Sequence, residues 1–486
     1  MRYTRIVLLI LIFILSIPAL FGAAKNVVLV VADDHGRDAG CYGTPVIRTP
    51  HMDSLARDGT LFDYAFATTA SCSASRSVIL TGLYNHRTGQ YGHQHDYHHF
   101  ISFENLKSLP VLLRDEGYRT AIVGKYHVSP RSVYDFERFL PGSTRNPVKM
   151  AENCRSFIDE ESDKPFFLYF CTSDPHRSGE VIEESPHKPN RFGNLPESRP
   201  GIDRVVYDPG EIEVPPFLPD NPATREELAQ YYQSVSRLDQ GLGRLVAILK
   251  EEGVYDDTLI IYISDHGKAF AGAKTTVYEP GLRSPCIVRN PYLKKRGIVS
   301  RALINWADLT PTILDFAGVD PPEYEPEIRI AAVRNQLEDH HGLHGRSFLS
   351  ILDEEDPQGW DETYASHTFH EIQMYYPMRV VRTRVYKLIW NIAYPLPFPF
   401  ASDLWASSAW QSVFRTGLDS MYGVRSVRAY IQRPEFELYK IDEDPWESAN
   451  LAYDPRYRNV LDELKAKLVA FQRRTGDPWL LKWEYE

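Results

Sequence analysis

Residues 26–34 read NVVLVVADD: one asparagine, six apolar residues from Val27 to Ala32, then Asp33 and Asp34. A run with no polar alternation suits a strand buried on both faces, as in a parallel sheet. Three further runs share this character. They are 120–124 (TAIVG, ending at Lys125), 166–171 (FFLYFC, leading to Asp174-Pro175-His176) and 258–263 (TLIIYI, leading to Ser264-Asp265-His266). Helical patterns lie between them, at 105–116, where Pro110 suggests an interruption, and at 225–252, where apolar residues recur at three and four. This alternation predicts an α/β fold, a large mostly parallel sheet sandwiched by helices. All four runs end in polar, chemically capable residues. Open α/β sheets bind ligands outside the carboxyl ends of their strands, so the four ends are expected to meet at one site.

Beyond residue 345 the pattern changes. Segments 378–391 and 436–441 read as strands, 456–474 reads as a helix, and 392–412 is rich in proline and aromatics. A catalytic domain over 25–345 and a smaller C-terminal antiparallel sheet-plus-helix (α+β) domain over 346–486 are expected. Arg2 and Arg5, the apolar run 6–21 and the small residues Gly22, Ala23 and Ala24 read as a signal peptide over 1–24. Export is therefore expected: periplasmic or extracellular in a bacterium, lysosomal in a eukaryote. The absence of any N-x-Ser/Thr sequon leans to the bacterial case.

The chain has 486 residues, long enough for a sizeable core, and a net charge of −11, which argues against a nucleic-acid-coating protein. A local basic pocket can still receive an anion. Five cysteines (Cys41, Cys72, Cys154, Cys171, Cys286) are too few for a disulfide scaffold.

Adjacent carboxylates repel, and a divalent cation relieves the repulsion. Asp33-Asp34 is thus a candidate hard-cation pair or an ordinary acidic turn, and Asp265-His266 is a second candidate pair. Cys72-Ser73-Ala74-Ser75-Arg76 precedes an apolar run through Leu80-Thr81-Gly82. It reads either as an activated Cys at an anion-binding helix N-terminus or as a buried Cys before a core helix. The stretch holding His86, His93, His95, His98 and His99 matches no structural zinc spacing and reads as a loop lining a substrate pocket, or for most of them as plain surface histidine.

These motifs together resemble the type I sulfatases of the alkaline phosphatase superfamily. Cys72 to Arg76 with Leu80-Thr81-Gly82 fits the signature C-x-(P/A)-S-R…L-T-G. Gly124-Lys125-Tyr126-His127, Asp265-His266-Gly267 and Glu437-Leu438-Tyr439 with Asp444-Pro445 and Asn450-Leu451 fit further segments. Within the family the chain is most similar to the N-sulfoglucosamine sulfohydrolase (heparan sulfamidase) branch. That likeness rests on Asp174-Pro175-His176-Arg177, Tyr376-Pro377-Met378-Arg379 and residues 308–315 (DLTPTILD), among others.

The resemblance implies that Cys72 is oxidised to formylglycine by a maturation enzyme and that its hydrate is the nucleophile. It implies one divalent metal, Ca2+, held by Asp33, Asp34, Asp265, His266 and the modified Cys72. It implies charge stabilisation by Arg76, Lys125 and Lys274, with His127 as base and His176 as acid. Asp174, Arg177, His370 and Glu371 are the implied substrate contacts. The implied substrate is a sulfated glycosaminoglycan or amino sugar, cleaved at the N-sulfate of glucosamine. An O-sulfatase, a phosphatase or phosphonate hydrolase, and a non-catalytic glycan-binding protein are the alternatives. Members of this type are often dimers, so a homodimer is a further expectation. The chain departs from the common pattern at Ala74 (often Pro), and from the sulfamidase pattern at His266 (Asn), Lys274 (Arg) and Ser178 (Cys).

Overall fold

A computed structural model of the chain describes residues 25–324 and 341–485; the expected signal peptide lies outside these residues. Eight strands form the main sheet. They are β1 (Asn26–Ala32), β2 (Thr60–Phe66), β3 (Arg119–Gly124), β4 (Arg138–Leu140), β5 (Phe166–Cys171), β6 (Thr258–Ser264), β7 (Cys286–Arg289) and β8 (Ile298–Asn305), in the order β4-β3-β5-β1-β6-β7-β2-β8. The neighbours β3, β5, β1 and β6 all run parallel, while β7 is antiparallel to both β6 and β2. The four apolar runs are therefore adjacent central strands.

The continuous apolar character of β1 has a direct cause. Val28, Val30 and Ala32 enter the hydrophobic core on one face of the sheet, and Val27, Leu29 and Val31 enter the core on the other. Either face alone would have left alternate positions polar. The helices Pro147–Ile158 and Pro222–Glu251 contribute to the first core, and Cys72–Thr81 and Leu309–Ala317 to the second. The long helix begins where Asn221 caps the Thr224 N–H and Pro222 occupies the first turn. Pro110 does not interrupt a helix. It lies in the first turn of Leu109–Asp115, where a missing N–H costs nothing.

A second sheet is antiparallel, in the order β14-β11-β10-β9, from β9 (Glu362–His367), β10 (Met378–Thr383), β11 (Tyr386–Asn391) and β14 (Phe436–Lys440). A small hairpin, β12 (Met421–Tyr422) with β13 (Arg425–Ser426), stands apart. The expected strand 378–391 is thus two strands, folded at Arg384-Val385. The helix Arg458–Thr475 adds Leu461, Leu464, Leu468 and Phe471 to the second core. Among the described residues no helix is long and apolar enough to cross a membrane.

His86 ties three of these elements together. Its Nδ1 lies 2.9 Å from Ser366 Oγ on β9, and its Nε2 lies 2.9 Å from Thr475 Oγ1 at the end of the C-terminal helix. Burial pushes its pKa down to about 4. The unfolded chain therefore binds this proton first, and stability is lost as pH falls from the unfolded value towards 4. The expected loss from His86 between pH 7 and pH 5 is about 2 kcal/mol, in the same direction as those from the buried His35 and His367. Urea melts at the two pH values should show a smaller drop in stability for His86→Gln than for the parent chain. Equal drops would mean that burial does not hold this ring neutral.

Candidate active site

The four central strands deliver their polar ends to one place because they are parallel and adjacent. Backbone bonds set the register just past the strands: Asp33 N–H to Asp174 O (3.1 Å), Asp265 N–H to Ala32 O (3.1 Å) and Lys125 N–H to Cys171 O (2.8 Å). Gly124 has φ +91°, and a Cβ there would stand 2.0 Å from the Cys171 carbonyl oxygen, so glycine is required just before Lys125. Asp34 (φ 64°) and His127 (φ 54°) hold left-handed conformations that cost a non-glycine residue free energy. Such strain persists only where the surroundings fix it, as they do at this strand edge.

Cys72 is the first residue of its helix and is fully buried. Its Sγ lies 3.4 Å from His266 Nε2 and 3.9 Å from Asp34 Oδ1. Burial raises its thiol well above the ordinary value, outweighing the nearby Lys125 and Lys274. The helix N-terminus therefore does not make Cys72 a reactive thiolate, and as a free thiol it is a poor nucleophile.

Around it, carboxylates and cations alternate. Arg76 Nη2 reaches Asp33 (3.3 Å) and Asp265 (3.1 Å). Lys125 Nζ donates to both oxygens of Asp33 (2.8 and 2.6 Å). Lys274 Nζ lies 3.0 Å from Asp34 Oδ2, 2.9 Å from His176 Nε2 and 2.9 Å from Asp403 Oδ2. Burial raises the Asp33 carboxyl, but Lys125, His176 and Arg76 outweigh it and hold it well below the usual range. The Asp265 carboxyl goes the other way, raised by burial that His266 and Arg76 do not offset.

Oxygens of Asp33, Asp34 and Asp265 lie within 4.8 Å of one another, and so do ligand atoms of Cys72, Asp265 and His266. Three buried carboxylates this close, one of them with its pKa raised, suit a divalent cation. The imidazole of His266, with Nδ1 3.1 Å from Gly267 O, is the softer member of the set.

The opening of the site follows from side-chain exposure. Asp33, Asp34, Asp265 and His266 are at most 1% exposed, whereas Lys125 (17%), Asp403 (24%), His176 (27%) and His95 (40%) reach solvent. The first set, with Cys72, forms a floor and the second a rim. A separate cavity of about 400 Å³, lined by Gly36, Arg37, Phe217, Lys268 and Trp446 among others, contains none of these groups.

Asp174 and Arg177 face neither floor nor rim. Asp174 is buried against Arg237 (2.7 Å) and Arg145 (3.0 Å). Arg177 forms a two-pronged pair with Glu227 (2.9 and 2.7 Å) and donates to Ala269 O. Both were expected to contact substrate; in the fold their polar atoms are already paired with protein groups. His370 is buried, with Nδ1 3.0 Å from Ser71 Oγ and Nε2 3.0 Å from His93 Nε2. Glu371 accepts from the N–H and hydroxyl of Ser402 (3.1 and 2.8 Å), which holds the segment bearing Asp403. Asp403 itself has no signal in the sequence. A single Asp in SDLW carries no motif, and its place beside Lys274 arises from a contact across 129 positions.

Residues 25–319 match the family described as Sulfatase, and residues 270–395 match that described as N-sulphoglucosamine sulphohydrolase, C-terminal. The chain is 39% identical over 472 residues to the human N-sulphoglucosamine sulphohydrolase, covering 94% of this chain and 91% of that protein. It is 28% identical to an ulvan-active sulfatase of Formosa agariphila, covering 93% and 80%. A solved structure bound to its substrate D-glucosamine-2-N,6-O-disulfate aligns with TM-score 0.65 and 20% identity over 95% of this chain and 100% of that one. The phosphonate monoester hydrolase of Agrobacterium radiobacter aligns with TM-score 0.64 and 20% identity over 92% and 95%. At that identity the last two share the fold.

Proposed function

The chain belongs to the sulfatase family, and we propose that it is an exported enzyme removing the N-sulfate of glucosamine residues in heparan-type glycans. The observation that carries this reading is the meeting of Cys72 and three carboxylates on one floor, paired to Arg76 and Lys125, with a Lys274–His176–Asp403 group beside it. The 39% identity to the human sulphohydrolase supports N-sulfate as the target. We assign 25–345 as the catalytic unit, with 346–486 supplying His370, Glu371 and Asp403.

Converted to formylglycine, residue 72 would supply a hydrated aldehyde, one hydroxyl attacking sulfur and the other restoring the aldehyde as sulfate leaves. Cys72 is fully buried in the fold, so the maturation enzyme would have to meet the chain before folding closes. Asp33, Asp34, Asp265 and His266 would hold the divalent cation, Ca2+, whose role is to polarise the nucleophilic oxygen and draw a sulfate oxygen into place.

The remaining residues act on charge and protons. Arg76 lies beneath the floor, paired to Asp33 and Asp265, and fixes those carboxylates. Lys125 and Lys274 face the sulfate and stabilise charge that grows on its oxygens. His176 Nδ1 lies 2.6 Å from the Arg177 carbonyl and donates to it, which leaves the Nε2 lone pair facing Lys274 Nζ. The proton needed by the leaving nitrogen thus resides between Lys274 and His176, at the rim where that nitrogen departs. Asp403 holds Lys274 in this position. His127, beside His95, serves as the base for the step that releases sulfate.

The test is sulfate release from N-sulfated glucosamine and from 6-O-sulfated N-acetylglucosamine, on one sample in which formylglycine at position 72 is confirmed by peptide mass spectrometry. Preferential release from the N-sulfated sugar is expected. Release from the O-sulfated sugar alone would keep the chemistry and move the substrate, with His266 and Lys274 as the first positions to revert. An intact thiol at position 72 in protein from its native host would overturn the mechanism.

A further inference from the structure

Beside the carboxylate floor lies a second cluster of ligating groups, made of imidazole alone. Nitrogens of His93, His95 and His127 lie within 4.8 Å of one another. The ring centroids are 4.7 Å apart for His95 and His127, 4.8 Å for His93 and His95, and 5.0 Å for His93 and His127. His95 Nδ1 stands 2.6 Å from His127 Nε2, so one proton at most lies between them. The Nδ1 atoms of His93 and His127 are buried and have no hydrogen-bond partner. Buried polar atoms without partners are uncommon and call for an explanation. Two in one three-histidine cluster point to a ligand.

We propose that His93, His95 and His127 form an imidazole-only site for a borderline divalent cation of the Zn2+ type, separate from the carboxylate centre, and that filling it blocks turnover by occupying a nitrogen of His127. The blocking step rests on the role assigned above to His127; the binding does not.

The chemistry of the donors selects the ion. Imidazole suits Zn2+, Cu2+ and Ni2+, whereas Ca2+ takes oxygen ligands. The two centres are therefore selective for different metals, despite lying side by side. Three nitrogen donors leave a fourth position for water, a common Zn2+ arrangement. The neutral ring is the ligating form, and burial holds His93 and His127 well below the ordinary histidine range. Lys125 acts against a cation here, while Asp96 and Glu371 favour positive charge at His95. The histidines are pre-positioned from two sides. Gln94 N–H donates to Ser73 Oγ, next to Cys72, and His93 N–H donates to the His370 carbonyl. His95, 40% exposed, is free to adjust its ring to a tetrahedral ligand set and gives the ion a way in from solvent.

Co2+ is the spectroscopic probe, added to full-length protein with Ca2+ in excess to keep the carboxylate centre filled. Visible d–d absorption of four-coordinate intensity is expected, saturating at one Co2+ per chain, without thiolate-to-cobalt charge transfer. Loss of one ligand should weaken binding by about 100-fold or more, since even outer-sphere partners are worth 10–100-fold. His95→Gln is the first variant, because an exposed side chain changes there without opening the core. His266→Asn is the comparison, and its cobalt spectrum should match the parent's. No cobalt spectrum in the parent, or a spectrum lost in His266→Asn and kept in His95→Gln, would overturn the site. Zn2+ should inhibit sulfate release with the midpoint at which it displaces Co2+. Displacement without inhibition would overturn the blocking step, and with it the role of His127, while the site itself stands.

Discussion

Cys72→Ala is expected to lower sulfate release by about 10⁴-fold or more while leaving the fold intact. The size follows from what is removed. Deleting the nucleophile from a covalent mechanism leaves only binding and electrostatic stabilisation. Losing one proton-transfer group, as in His127→Ala or His176→Ala, should cost only about 10²–10⁴-fold. The fold should survive because the hydrogen-bond partners of Sγ are the floor residues Asp34 and His266, and the helix it begins is anchored by Val78, Ile79 and Leu80. The measurement is sulfate release by ion chromatography on both proteins, with thermal melts alongside. An alanine variant that keeps more than about a hundredth of the parent rate would mean that Cys72 is not the source of the nucleophile. A variant that melts much earlier would make the rate uninformative, and Cys72→Ser would then take its place.

The legibility of this site in the sequence has a physical basis. Strands buried on both faces must be apolar throughout, so β1, β5 and β6 declare themselves, and β3 nearly so. Parallel neighbours end at the same edge, so the residues that follow them must converge. That logic locates Asp33, Asp34, Lys125, His176 and Asp265 without reference to any relative. It does not say where side chains point. Asp174 and Arg177 sit in the same motif as His176, two residues before it and one after, yet turn inward to Arg237 and Glu227. β2, β7 and β8 do not declare themselves as strands: β2 and β8 carry Asp63, Ser300 and Arg301, and β7 is only four residues long. Asp403 and the His93–His370 contact are pairings across the chain, which no local pattern encodes.

Arg177→Met provides the sharpest test of that inward turn. The Arg177 guanidinium lies over the rings of Phe192 (4.9 Å) and Phe270 (4.8 Å), forms its two bonds to Glu227, and is about 1% exposed. Methionine fills much of the same volume, so packing is largely kept. The carboxylate of Glu227 is not kept satisfied. It retains the Ser408 N–H at 3.1 Å and a long approach from Asn190 N–H at 3.4 Å, but is left without its counter-charge in a fully buried place. Removing one partner of a buried ion pair costs about 3–5 kcal/mol, because the survivor is left as an uncompensated charge. A loss of that size is expected in urea melts of Arg177→Met. Arg177→Met with Glu227→Leu should recover most of it, since replacing both partners by apolar groups is often close to neutral. KM for the sulfated sugar should stay within about twofold, because no polar atom of Arg177 remains free to meet a ligand. The opposite pattern, unchanged melting with a raised KM, would show that Arg177 reaches the substrate after all. The recovery in the double variant separates the two readings: changing Glu227 can remove an orphaned buried charge, but it cannot replace a guanidinium that binds the sugar.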